Sequence, residues 1–360
     1  MKLLDWRWWL GMKPKIVSVP PEKDYTITVI IPAYNEERSI RRTIGSVKAQ
    51  TAKIDEIIVV DDCSSDKTGE FSRQMRARVI RTPVNQGTKA QAQNFALPYV
   101  KTELVATIDA DTVLAKDAIE KTLPYFNDPL TASVCGFVIP QRIKTVWERG
   151  RFIEYVFGIS IFKAGQNNMG AVLVSSGCFS VFRAELLQEF GGFKARTMAE
   201  DMDLTWEFSI SGYRIYCDQR AYCFPADPPT LRIFVNQVDR WTRSFLQNVS
   251  IHSFRKNKKL GAFIYGYLIE SLLSPFILLA GCFLITKNII EAIALSILAE
   301  LALVSVPCLI KGARIGLFWK TLTSIPAYFV IRPVNFYVFW RSLWKEWIVR
   351  ERLSSWNKGH

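Results

Sequence analysis

The sequence lacks any pair of cysteines at the C-x-x-C spacing or in another zinc-binding arrangement, although it contains seven cysteines among 360 residues. A structural zinc site is therefore not expected, and free thiols in a reducing compartment are the default state of these cysteines. A secretory signal peptide is also lacking, because the apolar pieces of residues 1–15 are short and broken by charged residues.

A nucleic-acid-binding motif is absent too, even though the formal net charge is +13. The basic residues instead concentrate beside apolar segments. Between residues 311 and 360 the only acidic residues are Glu346 and Glu351, against nine Lys and Arg. Such an excess next to hydrophobic segments is typical of the cytoplasmic side of a membrane. The charge therefore predicts a lipid bilayer, and no nucleic acid, as a partner.

Residues 25–228 alternate short apolar runs with helical patterns. The runs YTITVIIPAYN, DEIIVVDD, ARVIRTP and ELVATIDADT predict strands, and EERSIRRTIGSVKAQ predicts a helix between the first two. This alternation predicts an α/β domain with a mostly parallel sheet. Ligands bind beyond the carboxyl ends of strands in such sheets. Acidic residues follow two of the predicted strands, Asp61 and Asp62 after the second and Asp109 and Asp111 after the last.

The remainder of the chain is patterned for a membrane. Residues 1–24 combine Leu and Trp with Lys and Arg, which predicts a segment lying flat on a bilayer surface, with a disordered or locally packed tail as the alternative. Residues 229–258 predict a basic amphipathic helix on a membrane face, or an ordinary surface helix. A membrane region follows at 259–360, with predicted spans at about 260–285 and 289–310.

Residues 317–340 are apolar but interrupted by Lys320, Arg332, Pro326 and Pro333. A third full span would carry the basic tail to the outside of the cell. We therefore expect a re-entrant segment, or an interfacial pair of helices broken at the prolines, with the tail in the cytoplasm. Acidic residues within the apolar runs should face protein or a cavity, because exposure to lipid is unfavourable; these are Glu270, Glu291 and Glu300.

Three acidic or basic motifs are candidates for chemistry. Asp109 and Asp111 of IDADT project to the same side of an extended chain, where two carboxylates suit a divalent cation that also binds phosphate; turn capping is the alternative. Glu200 and Asp201 head a predicted helix, either as caps or with one as a general base. Lys89 follows a glycine turn and could reach a phosphate.

Taken in order, these motifs resemble family 2 glycosyltransferases with the GT-A fold, in the membrane-embedded branch that carries Q-x-x-R-W. The resemblance covers roughly residues 27–245. It rests on VIIPAYNEE (29–37), IIVVDDCSSDKTGE (57–70), NQGTKAQAQNFAL (85–97), IDADT (108–112), SGCFSVFRAELLQEFGGF (176–193), AEDMDLTWEFSISGYRI (199–215) and QVDRW (237–241). The branch includes synthases of cellulose, chitin, hyaluronan and poly-N-acetylglucosamine, and the ceramide glucosyltransferases.

The resemblance implies a Rossmann-like GT-A nucleotide-sugar domain and a role for each matching residue. Asp201 matches the catalytic base. The remaining matches bind the donor nucleotide (Ala33, Tyr34, Glu36, Asp61, Lys89, Asp109 and Arg240), the Mg²⁺ or Mn²⁺ ion (Asp109 and Asp111) and the acceptor (Gln237, Trp241 and Glu200). A threonine precedes Lys89 where the family pattern has none, which puts the placement of this lysine in question.

On a helix, Gln237, Arg240 and Trp241 of QVDRW share one face, because positions i, i+3 and i+4 align. That face would present Arg240 to a pyrophosphate and Trp241 to an acceptor sugar. We expect Val238 and Asp239 to point elsewhere and to tolerate substitution.

The resemblance implies inverting transfer from a UDP-sugar, with UDP-GlcNAc slightly favoured over UDP-glucose, by an integral membrane protein whose catalytic domain faces the cytoplasm. The leading hypothesis is a synthase of a β-linked polysaccharide. The alternative is transfer of one sugar to a membrane lipid. Because only two clear spans follow the catalytic domain, a second copy or a partner subunit would be one source of further helices. An inactive scaffold subunit or a membrane-surface binding protein is the hypothesis from another class.

Overall fold

A computed structural model describes residues 20–353 of the chain. The predicted interfacial segment at 1–24 lies mostly outside these residues, as does the end of the basic tail at 354–360. Both stay predictions.

One eight-stranded sheet forms the centre of the described structure. Its strands are Ile27–Ala33 (β1), Glu56–Asp61 (β2), Arg78–Arg81 (β3), Leu104–Ile108 (β4), Val113–Leu114 (β5), Thr131–Val138 (β6), Phe179–Arg183 (β7) and Arg214–Phe224 (β8). Their order across the sheet is β3-β2-β1-β4-β7-β6-β8-β5. The four predicted strands are thus β1 to β4.

Helices cover both faces of the sheet. They are Ile40–Lys48 (α1), Thr68–Gln74 (α2), Lys89–Ala96 (α3), Val146–Phe157 (α4), Ala164–Met169 (α5), Ala184–Glu189 (α6) and Glu200–Ile210 (α7). Successive residues of β1 enter different hydrophobic clusters, with Val29 and Ile31 on one face and Ile30 on the other. A strand buried on both faces needs apolar residues at every position, which explains why β1 lacks the alternation of a half-exposed strand.

The sheet is parallel in one half and mixed in the other. Strands β3, β2, β1 and β4 are parallel neighbours, as predicted. Strand β7 then runs antiparallel to both β4 and β6, and β5 runs antiparallel to β8. The mixed half was not visible in the sequence because its pairings join segments far apart in the chain. The carboxyl ends of β1, β2 and β4 form the edge at which the acidic motifs meet.

Four long helices follow the α/β domain: Leu231–Ile251 (α8), Lys258–Thr286 (α9), Ile289–Arg314 (α10) and Phe318–Leu343 (α11). Among the described residues, α9 and α10 are the two helices long and apolar enough to cross a membrane. They coincide with the two predicted spans, and few of their residues are buried within the protein.

For residues 317–340, one of the two structures predicted from the sequence is wrong. Helix α11 is a single helix that continues through both Pro326 and Pro333, so the pair of helices broken at the prolines is wrong. Packing against α4 of the α/β domain supports the helix where the prolines remove hydrogen bonds. A side chain at Gly150 of α4 would lie only 2.6 Å from Ile331 Cγ2 and 2.9 Å from the carbonyl oxygen of Ala327. A re-entrant or interfacial position of α11 stays a prediction.

Arg332 of α11 connects α11 to α9 and α10. Its guanidinium lies 2.7 Å from Glu300 of α10 and 3.3 Å from Glu270 of α9, and it donates to Ser274 Oγ at 3.1 Å. The prediction that Glu270 and Glu300 face protein or a cavity is therefore confirmed. Glu291 does not follow it, because this residue lies exposed in the first turn of α10, where the carboxylate suits the positive end of the helix.

Candidate active site

A cavity of about 2820 Å³ runs from the carboxyl edge of the sheet to the space between α9, α10 and α11. Every predicted site residue except Asp61 lines it. Residues separated by as many as 208 positions in the chain, from Ala33 to Trp241, therefore share one cavity.

At one end, the last residue of β1 and the loop after it supply Ala33, Tyr34 and Glu36 to the cavity wall. Asp61 lies behind that wall. Its buried carboxylate accepts hydrogen bonds from Arg81 Nη1 at 2.6 Å and from the backbone N–H of Ser64 at 2.9 Å. Asp61 therefore does not line the cavity, and its contact with the donor nucleotide stays a prediction.

The neighbouring Asp62 lines the cavity instead. Its Oδ1 accepts from Thr82 Oγ1 at 2.8 Å and from the backbone N–H of Gln86 at 2.9 Å. These bonds tie the turn after β2 to the loop that leads into α3.

The threonine before Lys89 has a clear structural role. Thr88 is the N-cap of α3, with its hydroxyl accepting from the backbone N–H of Gln91 at 3.3 Å. Lys89 is therefore the first residue of the helix, and its side chain extends across the cavity. Its ammonium lies 2.5 Å from Asp109 Oδ1 and 3.7 Å from Glu200 Oε1. Thr88 thus sets the start of the helix that carries Lys89, and the contact of this lysine with a phosphate stays a prediction.

Burial and neighbouring charges both shift the pKa values of the acidic and basic groups around Lys89, and at Lys89 they act in opposite directions. Burial alone would lower the pKa of Lys89, but the carboxylates of Asp109 and Glu200 outweigh it and hold the pKa above its usual value. Burial and the adjacent Asp109 carboxylate raise the pKa of Asp111 to about 7. Burial, followed by the charge of Asp201, raises the pKa of Glu200. The site holds more acidic groups than its one lysine neutralises.

That surplus of carboxylates is the property that fits a divalent cation. Asp109 and Asp111 offer hard oxygen ligands, and a cation would favour the charged form of the buried Asp111. Within residues 20–353 no cluster of three or more His, Cys, Asp or Glu side chains is arranged to hold a metal. Mg²⁺ and Mn²⁺ are commonly bound by one or two carboxylates together with substrate phosphates, so the pair is sufficient only with a nucleotide present.

Asp201 is oriented by two backbone donors. Its Oδ2 accepts from the N–H of Gly177 at 2.8 Å, and its Oδ1 accepts from the N–H of Met202 at 2.8 Å. The N-cap of α7 is Ala199, so Asp201 is not the capping residue of this helix. The carboxylate instead faces the cavity beside Glu200, as a general base would have to.

Helix α8 carries QVDRW along the cavity wall, and Gln237, Arg240 and Trp241 line it as predicted. We expected Val238 and Asp239 to tolerate substitution, but both make contacts that a substitution would remove. Val238 is buried against Ile331 and Val338 of α11, and Asp239 Oδ1 accepts from Ser342 Oγ at 2.8 Å. Both residues also line the cavity, so α8 contacts α11 through residues at the border of the cavity.

Arg151 is a site residue that the sequence did not reveal. Its guanidinium is buried, donates to Gln237 Oε1 at 3.0 Å and lies 4.7 Å from the ring centre of Trp241. The sequence offered one signal for it, an arginine on the apolar side of the helix VWERGRFIEYVF. It gave no indication that the partner would be Gln237, 86 residues away.

A GT-A-like sheet with a carboxylate pair, a lysine and a candidate base around one cavity is the arrangement that the resemblance to nucleotide-sugar glycosyltransferases predicts. Residues 28–191 match the family described as "Glycosyl transferase family 2". This match supports the family predicted from the sequence for that part of the chain, and the predicted GT-A fold is confirmed.

Curated relatives bear the name poly-beta-1,6-N-acetyl-D-glucosamine synthase. One from Staphylococcus epidermidis is 29% identical over 278 residues, which are 74% of this chain and 66% of that protein. One from Staphylococcus aureus strain COL is 28% identical over 254 residues, 69% of this chain and 61% of that protein. The match thus spans less than two thirds of the length of these relatives.

Among solved structures, the mannosyltransferase PcManGT from Pyrobaculum calidifontis, in complex with GDP-Man and Mn²⁺, is similar in fold. The TM-score is 0.63 at 23% identity, covering 91% of this chain and 92% of that one. The similarity includes the C-terminal helices as well as the catalytic domain, since so little of either chain is left out.

Proposed function

We propose that this protein is a membrane-bound, inverting glycosyltransferase that transfers N-acetylglucosamine from UDP-GlcNAc to a growing β-linked polysaccharide. The observation that carries the proposal is the meeting of Asp109, Asp111, Asp201 and the QVDRW face around one cavity. The names of the curated relatives support the sugar and the polymer.

In the proposed reaction, Asp201 accepts the proton of an acceptor hydroxyl. The hydroxyl oxygen attacks the anomeric carbon of the donor sugar from the side opposite UDP. The new C–O bond forms as the bond to the diphosphate breaks, so the configuration inverts and UDP departs with its charge. The two backbone N–H bonds to Asp201 hold the carboxylate in one orientation for this transfer.

The departing charge meets cationic groups of the chain. Lys89 is held in the cavity by Asp109 and by the Gly177 carbonyl, and Arg240 lines the same cavity from α8. Both can bind diphosphate oxygens. Mg²⁺ or Mn²⁺, held by Asp109 and Asp111, would supply further stabilisation of the leaving diphosphate.

A membrane position suits the acceptor end of the cavity. Beyond Trp241 the cavity continues between α9, α10 and α11, past Glu270, Glu300 and Arg332. Polar groups at that depth would favour a hydroxyl-rich chain. With the basic flank of α9 and the C-terminal basic residues on the cytoplasmic side, the catalytic domain would take its donor from the cytoplasm.

Transfer of one sugar to a membrane lipid is the second candidate. It is favoured by the apolar part of the same cavity, where Ile277, Leu278, Leu303 and Phe336 form part of the wall. A lipid tail would suit these side chains, and its headgroup would then lie near Trp241.

A donor panel tests the proposal. The purified chain is incubated with UDP-GlcNAc, UDP-glucose and UDP-galactose in Mg²⁺ or Mn²⁺, and released UDP is measured. We expect UDP release to be fastest with UDP-GlcNAc and absent after chelation. A chain that binds UDP yet releases none from any donor would support the inactive-scaffold hypothesis and contradict this proposal.

A further inference from the structure

Arg151 of α4 is a cation buried inside the protein. Its side chain is 2% exposed. Three aromatic rings surround the guanidinium, with ring centres at 4.5 Å for Phe234, 4.7 Å for Trp241 and 5.8 Å for Tyr155. Burying an arginine is unfavourable unless its hydrogen bonds are made, and an apolar residue of similar size is often equally stable in such a place. The position therefore calls for a reason beyond packing.

The counter-charges of Arg151 tie it to other elements. Glu154 Oε2 lies 2.6 Å from Nη1, and Asp227 Oδ1 lies 4.0 Å from Nε. The second oxygen of Glu154 accepts from Asn335 Nδ2 of α11 at 3.0 Å. The guanidinium is thus held from α4, from the loop before α8 and, through Glu154, from α11.

The remaining contacts of the guanidinium are with two residues of QVDRW. Nη2 donates to the amide oxygen of Gln237 at 3.0 Å, which fixes the orientation of the amide and leaves its NH₂ group to donate toward the cavity. The cation also lies over the Trp241 indole. One face of that ring is therefore occupied, and a sugar has to stack on the other.

We propose that Arg151 is a positioning residue that sets the acceptor-binding face of QVDRW, by fixing the amide of Gln237 and by restricting the acceptor sugar to one face of Trp241. This inference rests on the proposed function and names how its acceptor is held. Arg151 acts on the acceptor through Gln237 and Trp241, so its loss should leave the donor site intact.

The readout is the ratio of sugar transferred to UDP released. An enzyme whose acceptor is poorly held passes more of its donor to water, whereas general damage to the fold lowers transfer and hydrolysis together. We compare the unmutated chain with Arg151→Met and Arg151→Lys, using UDP-GlcNAc and a β-1,6-linked GlcNAc tetrasaccharide. Arg232→Met is the control, because Arg232 lies exposed on the same helix as QVDRW.

Losing a charged hydrogen bond and a cation–π contact should lower the transfer-to-release ratio about 10-fold in Arg151→Met. Lysine keeps the cation over the ring but not the planar fork, so Arg151→Lys should lose roughly 3-fold. The Kd for UDP should change less than about 2-fold, because the contacts of Arg151 are with the acceptor face. Arg232→Met should match the unmutated chain.

Equal loss of transfer and release in Arg151→Met and Arg151→Lys, or a ratio unchanged in both, would overturn the positioning role. If Arg151→Met does not fold, the lysine variant alone decides in the same way. Failure of the proposed function would be distinguishable, since the unmutated chain would then release no UDP from any UDP-sugar, and that result would overturn both proposals.

Discussion

Lys89 and Asp201 are joined through a single residue, Gly177. The ammonium of Lys89 donates to the Gly177 carbonyl at 2.8 Å, and the Gly177 N–H donates to Asp201 Oδ2 at 2.8 Å. The group that would face the diphosphate and the group that would accept the proton are therefore positioned by the same short stretch of backbone. This stretch leads directly into β7, which packs in the centre of the sheet.

Adding a methyl group at Gly177 should impair chemistry more than folding. A Cβ there would lie 2.9 Å from Asp201 Oδ2 and 3.0 Å from Lys89 Nζ, the flexible ends of both functional side chains. Displacing them should lower kcat by roughly 10- to 100-fold in Gly177→Ala while the melting temperature changes little. The matched control is Gly165→Ala, where a Cβ meets no neighbour within 4 Å. Full activity of Gly177→Ala would contradict this arrangement.

Replacing the candidate base should abolish transfer but keep the nucleotide. Asp201→Asn preserves shape but cannot accept the proton, so kcat should fall by about 10²- to 10⁴-fold. Binding of UDP, measured by calorimetry, should be nearly unchanged. Asp117→Asn is a suitable control, because Asp117 is a more exposed acid paired with Lys121. Turnover retained in purified Asp201→Asn would show that another group is the base.

Removing the indole of Trp241 should affect acceptor use. Trp241→Ala deletes the stacking surface, which should raise the acceptor KM by about 10-fold while the Kd for UDP stays within 2-fold. The control Trp319→Ala removes a tryptophan that is 73% exposed on α11. A similar loss of donor and acceptor binding in Trp241→Ala would count against stacking.

Chelation should stop UDP release, and added Mg²⁺ or Mn²⁺ should restore it. Asp111→Asn removes one of the two hard ligands and should raise the metal concentration for half-maximal activity by at least about 10-fold. The measurement is a titration of metal into the chelated protein at saturating donor. Activity that is indifferent to chelation would exclude the metal role of Asp109 and Asp111.

Breaking the Arg332 cluster should loosen the C-terminal helices. Arg332→Met leaves Glu270 and Glu300 without their shared cation. Because Arg332 is about one third exposed, we expect a loss of about 1–2 kcal/mol in the free energy of unfolding, less than for a fully buried pair. Thermal unfolding in detergent measures it, and Arg332→Lys should recover part of the loss. A melting temperature equal to that of the unmutated chain would refute a structural role.

The parallel half of the fold and most of the site follow from local sequence. Apolar runs with no polar face predicted β1, β2 and β4, and acidic residues after two of them predicted the edge where Asp109 and Asp111 lie. A strand and the acidic residues that follow it lie within a few positions of each other, so both can be recognised from one short stretch of sequence. The resemblance then assigned roles that no spacing could have specified.

The remaining features depend on contacts between distant segments. Asp61 is buried and bonded to Arg81 on a neighbouring strand, whereas Asp62 lines the cavity, and this difference depends on a contact 20 residues away in the chain. The contact of Arg151 with Gln237 and the packing of Val238 against α11 join residues about 90 positions apart. The prolines predicted a break in α11 because propensity ignores the tertiary support that a packed helix receives.

The size of the labelled product tests the central claim most directly. The purified chain, supplied with UDP-[³H]GlcNAc and Mg²⁺, is assayed with Asp201→Asn in parallel, and products are separated by organic extraction and by size. The account predicts a high-mass, water-soluble polymer of N-acetylglucosamine that is absent with Asp201→Asn. A single labelled sugar recovered in the organic phase, with no polymer, would contradict polysaccharide synthesis and establish the lipid as the acceptor.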